Sequence, residues 1–203
     1  MSRLTCAADV PGREPDDVAA FATAAGRAST YTAPVSHIEH KAQSPASVRC
    51  AVLTISDTRT DATDTGGRAI VSLLADAGHH VIARSILRDE PLQVQRVILE
   101  HIADEQAAVQ AIVTTGGTGI TTRDATYEAV VALCEKQIDG FGELFRMLSY
   151  QEIGAAAMLS RACAGVLRKR VILSLPGSEH AVRLAMTKLI LPELGHLIRE
   201  VSR

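Results

Sequence analysis

Thr115, Gly116, Gly117, Thr118 and Gly119 follow a short apolar run and precede a segment of helical character that begins near Thr126. Glycines at such a place let main-chain N–H groups approach a phosphate, and the dipole of the following helix favours negative charge there. The same glycines would serve a plain chain reversal equally well, so the motif alone leaves both readings open. Spacing excludes two familiar phosphate loops. No GxxxxGK[ST] occurs, and Thr122 stands where a dinucleotide fingerprint needs its third glycine.

Asp124 follows the loop in Arg123-Asp124-Ala125-Thr126. A carboxylate beside a phosphate is unfavourable unless a cation lies between them, and Mg²⁺ binds through one or two carboxylates plus substrate phosphates. Asp89, in Leu87-Arg88-Asp89-Glu90-Pro91, ends another strand-like run. It either shares that metal or caps the helix that Pro91 starts. Ser56 and Asp57 end a third run, and Pro176-Gly177-Ser178 closes a fourth with a tight turn. Ser160 and Arg161 offer a hydroxyl and a fork of donors to phosphate, with a surface salt bridge as the plain alternative for Arg161. Gly140–Arg146 spends two of the three phenylalanines, Phe141 and Phe145, on either a stacking wall or core packing. His37 and His40 form an HxxH without further ligands nearby and read as solvated.

The elements that must position these residues come from periodicity. Cys50–Ile55, Val81–Leu87, Ala111–Thr115 and Val171–Leu175 are of strand length, rich in β-branched residues and nearly continuously apolar, which predicts parallel strands buried on both faces. Ala69, Ile70, Leu73, Leu74 and Ala77 make one helical stripe that Gly78 stops, and Val94, Val97, Ile98 and Ile102 make another behind Pro91. A third helix is expected after Thr126, read as its N-cap with Glu128 in the first turn. The last helix, from about Ser178, must kink or restart at Pro192. This alternation predicts an α/β fold with helices covering a mostly parallel sheet, whose ligands sit at the C-terminal strand ends. Residues 1–45, rich in Ala, Ser, Thr and Pro, are expected to form a largely disordered arm ahead of a single domain over 46–203.

With 21 basic against 23 acidic residues, the 203-residue chain generates no field to draw it to nucleic acid or an anionic membrane. Its four cysteines, Cys6, Cys50, Cys134 and Cys163, are scattered and suggest neither zinc nor disulfides. No apolar run has membrane-spanning length, and Asp9, Glu14, Asp16 and Asp17 argue against a targeting peptide, so the cytoplasm is the expected address.

Five ordered motifs carry a resemblance: Leu53–Asp57, Thr115–Gly119 with Arg123-Asp124-x-Thr126, Gly140–Arg146, Leu159–Ala162 and Leu175–Ser178. Together they resemble the MoaB/MogA family of molybdenum cofactor biosynthesis proteins, related to the gephyrin G domain, over about residues 40 to 203. The stretch Phe145–Gly154 is nearer MoaB than MogA. The resemblance implies a three-layer α/β/α molybdopterin-binding fold, a trimer or hexamer, and adenylylation of molybdopterin by Mg-ATP with release of pyrophosphate. It places Asp89 and Asp124 as the acids that work on magnesium and substrate phosphates. It assigns Ser56, Asp57, Thr115–Gly119, Thr126, Ser149, Ser160, Arg161, Pro176, Gly177 and Ser178 to ligand binding. Other molybdenum cofactor enzymes are the implied partners, and a non-catalytic molybdopterin-binding oligomer is the rival reading.

Overall fold

A computed structural model describes residues 43–203. The arm expected over 1–45 lies outside the described residues except for its last positions, where the Gln43 side chain accepts from Arg199 at 3.0 Å.

Four strands run parallel to one another: β1 (Arg49–Ile55), β2 (His80–Leu87), β3 (Ala111–Thr115) and β6 (Arg170–Leu175). With β4 (Lys136–Gln137) and β5 (Cys163–Leu167) they form one six-stranded sheet ordered β2-β1-β3-β6-β5-β4, in which β5 runs antiparallel to both neighbours. Parallel neighbours require crossovers, which here are helices. α1 (Thr65–Asp76) joins β1 to β2, and α2 (Pro91–Ala103) joins β2 to β3. α3 (Thr126–Leu133), α4 (Asp139–Ile153) and a 3₁₀ segment (Gly154–Leu159) lie between β3 and the β5–β6 hairpin.

Successive strand side chains point to opposite faces, so each inner strand feeds two cores. Val52, Val113 and Leu173 pack with Ile70 and Leu74 of α1, Phe145 of α4, and the C-terminal helices α5 (Glu179–Ala185) and α6 (Leu191–Ser202). Leu53, Ile112 and Ile172 pack on the other face with Val94 and Ile98 of α2 and Val130 of α3. This is the expected three-layer α/β/α sandwich. Each fully buried aliphatic side chain contributes about 1.5–3 kcal/mol of transfer free energy to holding those layers together.

Local signals act as the sequence suggests at several ends. Gly78 ends α1 with φ +81, and the amides of Gly78 and His79 return to the carbonyls of Ala75 and Leu74. Pro192 has no N–H, and its ring would strike the carbonyl four residues back; a widened π turn over Met186–Ile190 precedes it and lets α6 restart. Phe141 and Phe145 are core residues.

Three expectations are corrected. β2 is not buried on both faces: it is the sheet edge, and its residues before Leu87 stay partly exposed. Thr126 is not the cap of α3, because Ala125 holds that position and Thr126 turns its hydroxyl elsewhere. β4 and β5 were not expected at all. β4 is two exposed residues, and Gly165 interrupts the apolar pattern of β5. The β5–β6 hairpin turns on Arg168 and Lys169, both left-handed at φ 46 and 61, without the Asn-Gly or Asp-Gly that would advertise such a turn. No described helix is long and apolar enough to cross a membrane.

Candidate functional site

The C-terminal ends of β1, β2, β3 and β6 open on one cleft of about 510 Å³. Of the residues singled out in the sequence, Ser56, Asp57, Asp89, Thr115, Gly116, Gly117, Thr118, Gly119, Asp124, Ser160, Pro176 and Gly177 line it. The ladder continues past the strand ends: Ser56 N–H reaches Leu87 O at 2.8 Å, and Gly116 N–H reaches Leu175 O at 3.0 Å. The Thr115 hydroxyl donates to Pro176 O at 2.9 Å, fixing one turn against the next.

Gly116 and Gly117 leave β3 at φ +101 and +63, a conformation that penalises any Cβ. Space is as restrictive as torsion. A Cβ on Gly116 would lie 2.2 Å from Ile55 O, and one on Gly117 would lie 2.1 Å from Thr126 Oγ1 and 2.5 Å from Asp89 Oδ2. The glycines therefore let the loop press directly onto β1 and onto the Asp89 carboxylate.

Asp89 is 6% exposed and does not cap α2; Glu90 holds that position without a side-chain bond. Its carboxylate instead accepts from the Thr126 hydroxyl at 3.1 Å and from the Ala125 amide, tying the end of β2 to the start of α3. Burial pushes the Asp89 carboxyl above the usual carboxylate range despite those donors, and the charges of Asp124 and Asp57 add to the rise. Asp124 accepts from the Thr121 hydroxyl at 2.6 Å and amide at 3.0 Å, and from the Gly119 amide. The Thr121 hydroxyl, outweighing burial, holds its carboxyl low. Asp57 is held low by Arg123, which bridges it at 2.9 Å and also reaches Glu90 at 2.8 Å.

Asp64 and Arg123 are among the cleft residues that the sequence does not single out. Asp64, 2% exposed, caps α1 through the Gly67 amide at 2.8 Å and accepts from the Thr54 hydroxyl and Arg84 at 2.9 and 2.7 Å. Burial opposes its charge, but the Arg84, Gly67 and Thr54 donors prevail and lower its pKa. An Asp immediately ahead of a helical stripe is an N-cap signal that could have exposed it. Arg123 stands in the Arg123-Asp124-Ala125-Thr126 motif, and nothing in sequence spacing pairs it with Asp57, 66 residues earlier.

Four expected ligand residues do not line the cleft. Thr126 lies fully buried beneath the loop, and Ser149 is buried on α4. Ser178 caps α5, accepting from the Ala181 amide at 3.3 Å. Arg161 sits behind the loop, where it donates to the carbonyls of Thr118 and Gly119 and pairs with Glu128. Ser160 does line the cleft, and its buried hydroxyl oxygen has no hydrogen-bond partner among the described residues. Such groups normally find a ligand or water.

A doubly covered parallel sheet with a polar, glycine-rich cleft at its strand ends defines a ligand-binding α/β protein. Comparison gives the class a family. The family model described as "Probable molybdopterin binding domain" matches residues 51–196. Molybdenum cofactor biosynthesis protein B of Bacillus subtilis is 52% identical over 166 residues, 81% of this chain and 96% of that protein. A crystal structure of a molybdenum cofactor biosynthesis protein B aligns with a TM-score of 0.75 at 53% identity, covering 79% of this chain and 99% of that one. The tungsten cofactor synthesizing protein MoaB from Pyrococcus furiosus aligns with a TM-score of 0.70 at 34% identity, covering 79% and 100%. The chain belongs to the MoaB/MogA family of molybdenum cofactor biosynthesis proteins.

Proposed function

We propose that this chain acts in molybdenum cofactor biosynthesis in the cytoplasm, as an adenylyltransferase that converts molybdopterin and Mg-ATP to adenylyl-molybdopterin and pyrophosphate. The observation that carries the reading is the convergence of Asp89, Asp124 and the Thr115–Gly119 loop on one cleft. Carboxylates facing a polyphosphate repel it unless a divalent ion intervenes.

The donor set fits magnesium. Among the described residues no cluster of three or more His, Cys, Asp or Glu could hold a metal ion unaided. Mg²⁺ does not need one, since one or two carboxylates and phosphate oxygens suffice. Asp89 and Asp124 would hold it, and Asp89, whose charge is disfavoured by burial and by neighbouring acids, gains most from a cation. Bound there, Mg²⁺ would offset charge on the phosphate oxygens.

The chain's own part is positional and electrostatic. The terminal phosphate of molybdopterin attacks the α-phosphorus of ATP; a P–O bond forms, the α–β anhydride bond breaks, and pyrophosphate leaves without a covalent enzyme intermediate. The Gly116 and Gly119 amides are bonded to Leu175 O and Asp124, so the Gly117 and Thr118 amides are the ones that take up charge developing on the α-phosphate, and the unpartnered Ser160 hydroxyl donates to a ligand oxygen. The test is pyrophosphate release from Mg-ATP with and without molybdopterin. Release that depends on molybdopterin and matches adenylyl-molybdopterin formed supports the reading.

Tight molybdopterin binding without release would instead establish a non-catalytic binding oligomer or scaffold. One observation favours that reading: protein donors already engage both Asp89 and Asp124. Either reading includes a threefold homo-oligomer, a trimer or hexamer, with other molybdenum cofactor enzymes as further partners. Leu144, Met147, Tyr150 and Ile153 recur every third residue along α4 and, with Met158 and Leu159, are 47–75% exposed. Apolar surface of that extent marks an interface.

A further inference from the structure

We propose that Arg161 is a positioning residue of the adenylyl-transfer site and not a phosphate ligand. The arginine side chain has five N–H donors. Nε donates to Thr118 O at 3.0 Å, one terminal nitrogen donates to Gly119 O and, at 3.3 Å, to Glu128, and the other also donates to Glu128. That commits four of the five to protein acceptors, too many for a bidentate grip on phosphate. The guanidinium also lies over the Tyr127 ring, 4.9 Å from its centroid. Tyr127 and Glu128 both belong to the first turn of α3, so Arg161 clamps the loop to that turn.

The clamp has a consequence inside the cleft. In a trans peptide the carbonyl and the next N–H point in opposite directions. Holding Thr118 O toward Arg161 therefore turns the Gly119 N–H the other way, where it donates to Asp124. Holding Gly119 O likewise fixes the direction of the Ile120 N–H. Arg161 thus sets both the amide geometry of the loop and the carboxylate of Asp124, without itself lining the cleft. Lysine cannot replace it, because a single ammonium has no planar fork to span two carbonyls and a carboxylate.

The role rests on the adenylyltransferase reading, so the experiment has one arm that does not. In the full-length protein, Arg161→Lys and Glu128→Gln are compared with wild type by hydrogen exchange at the Gly119 amide, which donates to Asp124, and by steady-state pyrophosphate release. With Arg161→Lys, the Gly119 amide should exchange about tenfold faster while that of Val113 in the sheet stays unchanged. Turnover should fall in kcat by roughly a hundredfold, the scale of a misplacement of about 1 Å, with KM for ATP nearly unchanged. Glu128→Gln keeps the carbonyl contacts and should show the same pattern in weaker form, which preserves the test if Arg161→Lys does not fold. Unchanged loop exchange in both variants overturns the proposal, as does a raised KM with kcat intact, the mark of a direct phosphate ligand. A wild-type protein without turnover defeats only the adenylyltransferase reading, and the exchange arm then decides the clamp by itself.

Discussion

Replacing Gly117 with alanine tests how tightly the loop is set against the buried carboxylate. At φ +63 an alanine meets a left-handed backbone cost of about 1–2 kcal/mol. Its methyl group would also arrive 2.1 Å from Thr126 Oγ1 and 2.5 Å from Asp89 Oδ2, so one of them must move. Their 3.1 Å hydrogen bond then breaks, and a buried bond to a charged group contributes about 1.5–3 kcal/mol. Gly78→Ala is the matched control: φ is +81, but nothing lies within 4 Å of the added methyl, which leaves the backbone cost alone. Gly117→Ala should therefore cost about 1.5–3 kcal/mol more than Gly78→Ala, a further drop in Tm of roughly 3–12 °C for a chain of this size. Thermal denaturation at matched protein concentration measures the difference. Pyrophosphate release should vanish in Gly117→Ala and persist in Gly78→Ala. Equal Tm shifts in the two variants would refute the reasoning, since the contact between loop, Asp89 and Thr126 would then carry no energy.

Asp89→Asn and Asp124→Asn should each retain a folded protein by circular dichroism and lose adenylylation by roughly a hundredfold or more, the cost of removing one group that acts on transition-state charge. Asp89→Asn should not lower Tm at neutral pH, because burial already raises the Asp89 pKa and its ionised form costs stability above that pKa. Asp64→Ala should cost about 3 kcal/mol in urea titration by leaving the Gly67 amide without its cap and Arg84 with only the exposed Asp61 as a partner. The Asp64 pKa is lowered in the fold, so its contribution is present above the ordinary carboxylate range and is lost as pH falls through the lowered value; the wild type should lose this increment on acidification and Asp64→Ala should not. Met147→Asp on the exposed side of α4 should reduce the proposed threefold oligomer to a smaller species in light scattering.

The parallel centre of the sheet was legible because β1, β3 and β6 are apolar nearly throughout, a pattern that only double burial explains. β2 was read with them although Arg84 and Ser85 interrupt its apolar run, and a charge in mid-strand is a mark of an edge. The convergence of Asp57, Asp89, Asp124 and the glycine loop was legible for a related reason: each follows a strand, and parallel strands share one C-terminal rim. Side-chain direction was not. Arg161 follows Ser160 directly, yet Ser160 lines the cleft while Arg161 turns behind the loop. Thr126 looked like a cap because its type and place suit one, and only the tertiary approach of Asp89 redirects its hydroxyl. Asp64 stayed hidden among the polar residues of a loop because its partner Arg84 stands on another strand.

The two-residue turn at Arg168 and Lys169 joins the one pair of strands in this sheet that are neighbours both in sequence and in space without a helix between them. Hairpins of that kind close within about 1–10 μs, whereas every parallel pairing here must wait for a crossover to be wound and docked. β6 should therefore reach the nascent sheet already paired on its β5 side, with its other edge open as the template on which β3 and then β1 are recruited.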